Sequence, residues 1–171
     1  MAKDELSLED FSDYLKACDL DMSSHDAEVL LLTCIDFRFF SKIAQHMDAS
    51  GLGGKYDQVI LAGAELGAVV DFPPDPRLHW QQFFLEHLGL AKELHRIKRV
   101  VVIGHRDCGA YKKFGLLPER PTPEEERAAH KLQADKLEVL VHRFHRDLKV
   151  DKFLLSLGPG PADPLILQRM D

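Results

Sequence analysis

The chain has 171 residues, 45% hydrophobic and 29% charged, which suits one globular domain able to bury a core without covalent staples. Its 28 acidic and 22 basic side chains leave a formal charge of −6, which argues against non-specific nucleic-acid binding, a task for a basic surface. The three cysteines (Cys18, Cys34, Cys108) are an odd number, the opening MAKDELSLED has no apolar stretch of the secretion-signal kind, and no run approaches the roughly 20 apolar residues that span a bilayer. The expectation is a reduced, cytoplasmic protein that neither enters a membrane nor binds nucleic acid, and whose cysteines act as ligands or nucleophiles.

In chain order, SLEDFSDYLKACDL places Leu8, Phe11, Tyr14, Leu15 and Cys18 at spacings near three and four, which predicts an amphipathic helix within an N-terminal helical arm over about residues 4–20, with Ser7 and Asp10 as a cap. EVLLLTC (28–34) is an unbroken apolar run of strand length, as expected of a strand covered on both faces. RFFSKIAQHM (38–47) reads as a helix that stops at the glycine-rich SGLGGKY, and YDQVILAGA (56–64) as a second strand. DFPPDP is a loop, and Trp80, Phe84, Leu88, Ala91 and Leu94 predict a helix over 78–97, with Gly89 a place for a kink. RVVVIG (99–104) is a third strand, and Thr122-Pro123 with Glu125 marks a capped helix start. That helix is expected to run to Leu148, and DKFLLSLGPG (151–160) to be the final strand. Alternating strands and helices, with no repeat or dividing linker, predict a single α/β domain over 1–171 with a central, mostly parallel sheet flanked by helices. Ligands of such sheets sit beyond the carboxyl ends of the strands.

Two of those ends carry chemistry. The first strand closes as TCIDFRFF and the third as GHRDCGAY. If the two strands are adjacent and parallel, Cys34, His105 and Cys108 emerge at one edge of the sheet. Two thiolates and an imidazole form a tetrahedral zinc site with one position left for water, the arrangement of catalytic rather than structural zinc. Asp36 and Arg38 follow Cys34 directly after an apolar strand, where charges need solvent or each other.

Cys34-Ile35-Asp36-Phe37-Arg38, followed by His105-Arg106-Asp107-Cys108-Gly109, resembles the paired motifs of the β-class carbonic anhydrases, and the resemblance extends in outline over the whole chain at the length of the short members. It implies a β-carbonic-anhydrase-like fold, Zn2+ on Cys34, His105 and Cys108, an Asp36–Arg38 dyad, a homodimer or higher homo-oligomer with sites near the subunit interface, and hydration of carbon dioxide to bicarbonate by a zinc-bound hydroxide. In this reading Asp36 accepts a hydrogen bond from the bound water, and Arg38, a forked donor, keeps the carboxylate from ligating the metal itself. Arg106 and Asp107 are expected to be solvated or locally paired. His25 and His46 are read as surface residues in preference to proton shuttles.

One segment departs from the family. Where an Arg-Asn-Ala-Gly-Asn stretch is usual, this chain has Leu61-Ala62-Gly63-Ala64-Glu65, which keeps small residues for close backbone approach but loses the polar ones. A less polar wall suits a carbonyl sulfide or carbon disulfide hydrolase on the same zinc site, the second reading. A non-catalytic zinc-binding homologue is the third. The fourth is a metal-free hydrolase using Cys34 as nucleophile and His105 as base, although the Cys-x5-Arg loop of cysteine phosphatases is absent.

Overall fold

The computed structural model describes residues 5–6, 10, 13–14, 17, 27–69, 78–157 and 165–171. Four strands run parallel: β2 (Val29–Thr33), β3 (Tyr56–Ile60), β4 (Arg99–His105) and β5 (Lys149–Ser156). β6 (Ile166–Arg169) returns antiparallel along β5, and β1 (Glu5–Leu6) pairs antiparallel with β6. The six-stranded order is β1-β6-β5-β4-β2-β3.

The helices are α1 (Phe37–Met47), the short α2 (Glu65–Ala68), α3 (Leu78–His95), the short α4 (Gly109–Lys113) and α5 (Pro123–Phe144). The period-2 alternation of the central strands explains why they read as continuous apolar runs. Leu30, Leu32, Val100 and Val102 pack on one face with Phe84 and Leu88 of α3 and Leu137 and Val141 of α5. Val29, Leu31, Val101 and Ile103 pack on the other with Phe39, Ile43 and Met47 of α1. No surface remains for the polar half of an alternating strand.

Several boundaries differ from the sequence reading: β3 stops at Ile60, short of the expected 64, because the chain turns at Gly63, and Glu5–Leu6, expected in a helical arm, pair with β6 as β1. β5 is not the last strand, because the chain turns back into β6; a four-residue strand is too short for its periodicity to stand out. α5 ends at Phe144 instead of Leu148, His145 leaving the helix at φ −139°, yet Leu148 is still buried in the core. α3 ends at His95, where Arg96 takes the left-handed conformation at φ 59°, and Gly89 lies within the helix. The start of α5 is as expected: Thr122 accepts from the Glu125 N–H while Glu125 reaches back to the Thr122 N–H, with Pro123 in the first turn. Most of the N-terminal arm, including Ser7, Leu8, Phe11, Leu15 and Cys18, lies outside the described residues, as does the DFPPDP loop. Asp10, Asp13 and Tyr14 are helical, and the Tyr14 hydroxyl donates to Asp151 at 2.5 Å.

From β2 the chain steps outward to β3, then crosses back to place β4 on the opposite side of β2. α1 and α3 therefore cover opposite faces, and a crevice opens beyond the carboxyl ends of β2 and β4. Among the described residues, no helix is long and apolar enough to cross a membrane.

Candidate metal centre

β2 and β4 are adjacent and parallel, with Thr33 opposite Ile103, so Cys34 leaves its strand level with Gly104. Beyond His105, Asp107 adopts φ 56°, a left-handed turn that Asp tolerates better than most residues, and Cys108 becomes the N-cap of α4. That reversal brings the strand end and the helix start together. The donor atoms of Cys34, His105 and Cys108 all lie within 4.8 Å of one another, a set able to hold a metal ion.

The donors fit a tetrahedral soft-metal site. The Cys34 and Cys108 sulfurs are 4.0 Å apart, against about 3.8 Å for two thiolates on one tetrahedral zinc. His105 Nδ1 lies 2.8 Å from the Arg106 carbonyl, so its proton sits there and Nε2 is left as the ligand atom. Nε2 is buried and has no hydrogen-bond partner among the described residues. The hydrogen bond from Cys108 pulls the Cys34 thiol down to about 4, against the opposing effect of burial and with help from His105 and the Gly63 N–H. The same contact, with burial and the Cys34 charge, pushes Cys108 up. Burial works against protonation of His105, but the Cys34 thiolate, the Arg106 carbonyl and Asp36 outweigh it. Without a cation the pocket thus favours one thiolate beside a protonatable imidazole; a dication would draw both sulfurs into the thiolate form.

Asp36 and Arg38 sit at the rim. Arg38 Nη2 donates to Asp36 Oδ2 at 2.7 Å and Nε to Oδ1 at 3.0 Å, a forked contact. Asp36 also caps α1, its Oδ1 accepting the Arg38 N–H at 3.0 Å. The Arg38 hydrogen bonds hold the Asp36 carboxyl below the usual carboxylate range. Asp36 Oδ2 stands 3.7 Å from His105 Nε2. Asp107 is more than a local spacer: its carboxylate accepts from Arg38 Nη1 at 3.3 Å and from Lys112 at 2.5 Å, bracing the guanidinium from the far side. Arg106 pairs with Glu126 and Gln168. These residues open onto a cavity of about 720 Å³ that also touches Ile35, Phe37, Ala62 and Phe114.

Over 133 residues the chain is 32% identical to an uncharacterized protein of Rickettsia bellii, covering 78% of this chain and 79% of that one. Over the same length it is 33% identical to an uncharacterized protein of Rickettsia conorii, covering 69% of that protein. The chain belongs to their family. No family model matches it. Its fold is that of the β-carbonic anhydrases: CafA of Aspergillus fumigatus superposes with a TM-score of 0.52 at 19% identity, over 95% of this chain and 83% of that one. A carbonic anhydrase from Glaciozyma antarctica gives 0.50 at 17%, over 94% of both chains. Isoform I of Trichomonas vaginalis gives 0.50 at 14%, over 94% and 92%.

Of residues 61–65, Ala62 borders the cavity, while Gly63 donates its N–H to Cys34 Sγ at 3.2 Å. Glu65 turns away into the core, fully buried, where Oε1 accepts from the Tyr111 hydroxyl at 2.8 Å and lies 2.5 Å from His130 Nδ1. The segment's polar character is thus partly displaced inward, an outcome its reading as a pocket wall did not anticipate. His46 is not a surface residue: it is buried at the end of α1, and burial lowers its pKa. His25 lies outside the described residues. Sequence signals for the buried pair did exist. Glu65 is the only charge in LAGAELGAVV, and His130 occupies the row Glu126-His130-Ala134-Leu137-Val141, where a core residue would stand.

Proposed function

We propose that the protein is a zinc enzyme of the carbonic anhydrase kind, with Cys34, His105 and Cys108 as ligands and carbon dioxide as substrate. The observation that carries this is the convergence of three soft donors within 4.8 Å beside a carboxylate that Arg38 holds in a fork. Zinc bound there would supply a Lewis acid that makes water nucleophilic near neutral pH, less strongly with two thiolates than with three neutral histidines. Asp36, ionised by Arg38, can only accept hydrogen bonds, so it orients an O–H donor at the rim. Arg38 prevents the carboxylate from swinging 3.7 Å onto the ligand cluster, and Asp107 keeps Arg38 in place. Gly63 and His105 stabilise the Cys34 thiolate, and Phe39 packs its ring 4.6 Å from the imidazole, limiting its movement.

A homodimer belongs to the same reading. Phe37 and Ile35, 87% and 65% exposed, border the cavity, and Phe40, 56% exposed, follows Phe37 by one turn of α1, an apolar surface that a second copy would cover. A monomer by sedimentation would remove this part.

A carbonyl sulfide or carbon disulfide hydrolase is the second reading, favoured by the apolar wall at Ala62. A neutral hydrogen bond missing at that one position is worth about 0.5–1.5 kcal/mol. Carbon dioxide hydration is therefore expected up to about tenfold below that of a site with a polar wall. The test is metal analysis of freshly purified protein, then stopped-flow hydration across pH with carbonyl sulfide in parallel. One zinc per chain and hydration rising above neutral pH are expected. Sulfide release without carbon dioxide turnover would move the assignment to the hydrolase. Zinc without either activity would leave a binding protein, and hydrolase activity in zinc-free protein would favour the Cys34 nucleophile.

A further inference from the structure

A second polar cluster lies behind the metal centre, and the proposed reaction does not use it. Glu65, Tyr111 and His130 are each fully buried, in a region otherwise packed with Leu66, Leu117 and Cys108. Tyr111 and His130 stack at 3.9 Å between centroids, and both reach Glu65 Oε1. Neither Glu65 Oε2 nor His130 Nε2 has a partner among the described residues. A buried, incompletely satisfied carboxylate is costly, and an apolar residue at 65 would be cheaper if packing were its only task.

The cluster touches all three segments that carry the putting-together of the ligands. Glu65 begins α2 two residues after Gly63, whose N–H donates to Cys34 Sγ, and the intervening Ala64 is held at φ 50°, a conformation that L residues rarely adopt. Tyr111 lies in the first turn of α4, three residues after Cys108, the N-cap of that helix. Glu65 and His130 also press on the backbone before the third ligand: a Cβ at Gly104 would meet Glu65 Oε1 and His130 Nδ1 at 2.7 Å each. One buried carboxylate therefore ties together the turn that carries the Cys34 donor, the helix that Cys108 caps and the approach to His105.

We propose that Glu65, Tyr111 and His130 form a positioning triad that fixes the Gly63 N–H on Cys34 and the helix that Cys108 caps, and so sets how tightly the sulfurs hold the metal. This rests on the metal-centre reading above. None of the three touches substrate. Tyr111→Phe removes one oxygen and keeps the ring; Glu65→Gln keeps the shape and removes the charge. Partners that orient metal ligands are worth about 10–100-fold in metal affinity.

The experiment measures zinc affinity by competition with a chromogenic chelator, and the sulfur-to-metal charge-transfer bands of the cobalt-substituted protein, for the parent and both variants. Thermal melts of the metal-free forms run alongside. Both variants are expected to bind zinc at least tenfold more weakly, with shifted charge-transfer bands. Lower metal-free stability with unchanged affinity and spectra would reduce the triad to packing and overturn the proposal. If Tyr111→Phe does not fold, Glu65→Gln alone decides by the same two readouts. Failure of the parent to bind zinc or cobalt would instead sink the metal-centre reading, a result distinct from normal binding by parent and variants alike.

Discussion

His105 and Gly104 are neighbours at the end of β4, and they face opposite environments. His105 turns its ring to the cavity, among thiols and the Asp36–Arg38 pair. Gly104 turns its missing side chain to a dry cluster, where Glu65 and His130 occupy the volume a Cβ would need. On the cavity side, charge is managed by pairing and partial solvation; on the dry side, Glu65 has only His130 and Tyr111, both on one oxygen. The soft donor atoms thus all lie on the cavity side, and the dry side holds only groups that contact one another and the backbone behind them.

The largest effect should come from breaking the cavity side at a ligand. Cys108→Ala is expected to lose bound metal and all metal-dependent turnover, and to melt well below the zinc-loaded parent, because metal bound only by the folded state adds to stability. Metal content by emission spectroscopy checks this, and full zinc occupancy in the variant would remove Cys108 from the ligand set.

Arg38→Ala should separate function from stability. The Asp36–Arg38 pair is partly exposed, so its loss should cost no more than about 1 kcal/mol of stability. Metal content should stay at the parent level while turnover falls more than tenfold, because Asp36 is no longer held off the ligand cluster. Turnover equal to the parent's at neutral pH would show that the fork is an ion pair with only structural value.

Gly104→Ala probes the dry side. The added methyl meets two polar atoms at 2.7 Å, and overpacking of this kind costs about 1–3 kcal/mol. At roughly 2–4 °C per kcal/mol for a domain of this size, the metal-free melting temperature should fall by about 2–12 °C. An unchanged melt would mean that the Glu65–His130 pair can move aside.

The smallest effect concerns acid. Asp36 has a folded pKa below its ordinary 3.8, so its contribution is complete above that value and is lost only as pH falls through the folded pKa. Between pH 7 and pH 5 the dyad stays ionised and should contribute no slope. His46, lowered from 6.5 by burial, behaves with the same sign at higher pH: the unfolded chain takes up its proton first, so stability is lost as pH drops below 6.5 towards the folded value. His145, also lowered by burial, adds to this decline, and His105, raised, opposes it, so melts over this range should show a decline that persists in Arg38→Ala and is smaller in His46→Gln. A decline that vanished in Arg38→Ala would assign it to the dyad instead.

Much of the fold was legible because its signals are local. The apolar runs at 28–34 and 99–104 had the length and composition of covered strands, and Thr122-Pro123 with Glu125 marked the start of α5 within a residue. The cluster was legible too, since His105 ends its strand, Cys34, Asp36, Arg38 and Cys108 follow theirs within a few residues, and a parallel pairing leaves them one place to meet. Three things needed the tertiary structure. β6 exists because the outer edge of β5 offers unpaired backbone groups, which four residues can satisfy but whose periodicity four residues cannot advertise. Asp107 braces Arg38 only because a left-handed turn at φ 56° swings it back across the rim. Glu65, Tyr111 and His130 meet although they are 46 and 65 positions apart, because α2, α4 and α5 converge behind β4. Sequence spacing determines which groups leave a strand together; burial, register and helix packing decide which distant groups must then satisfy one another.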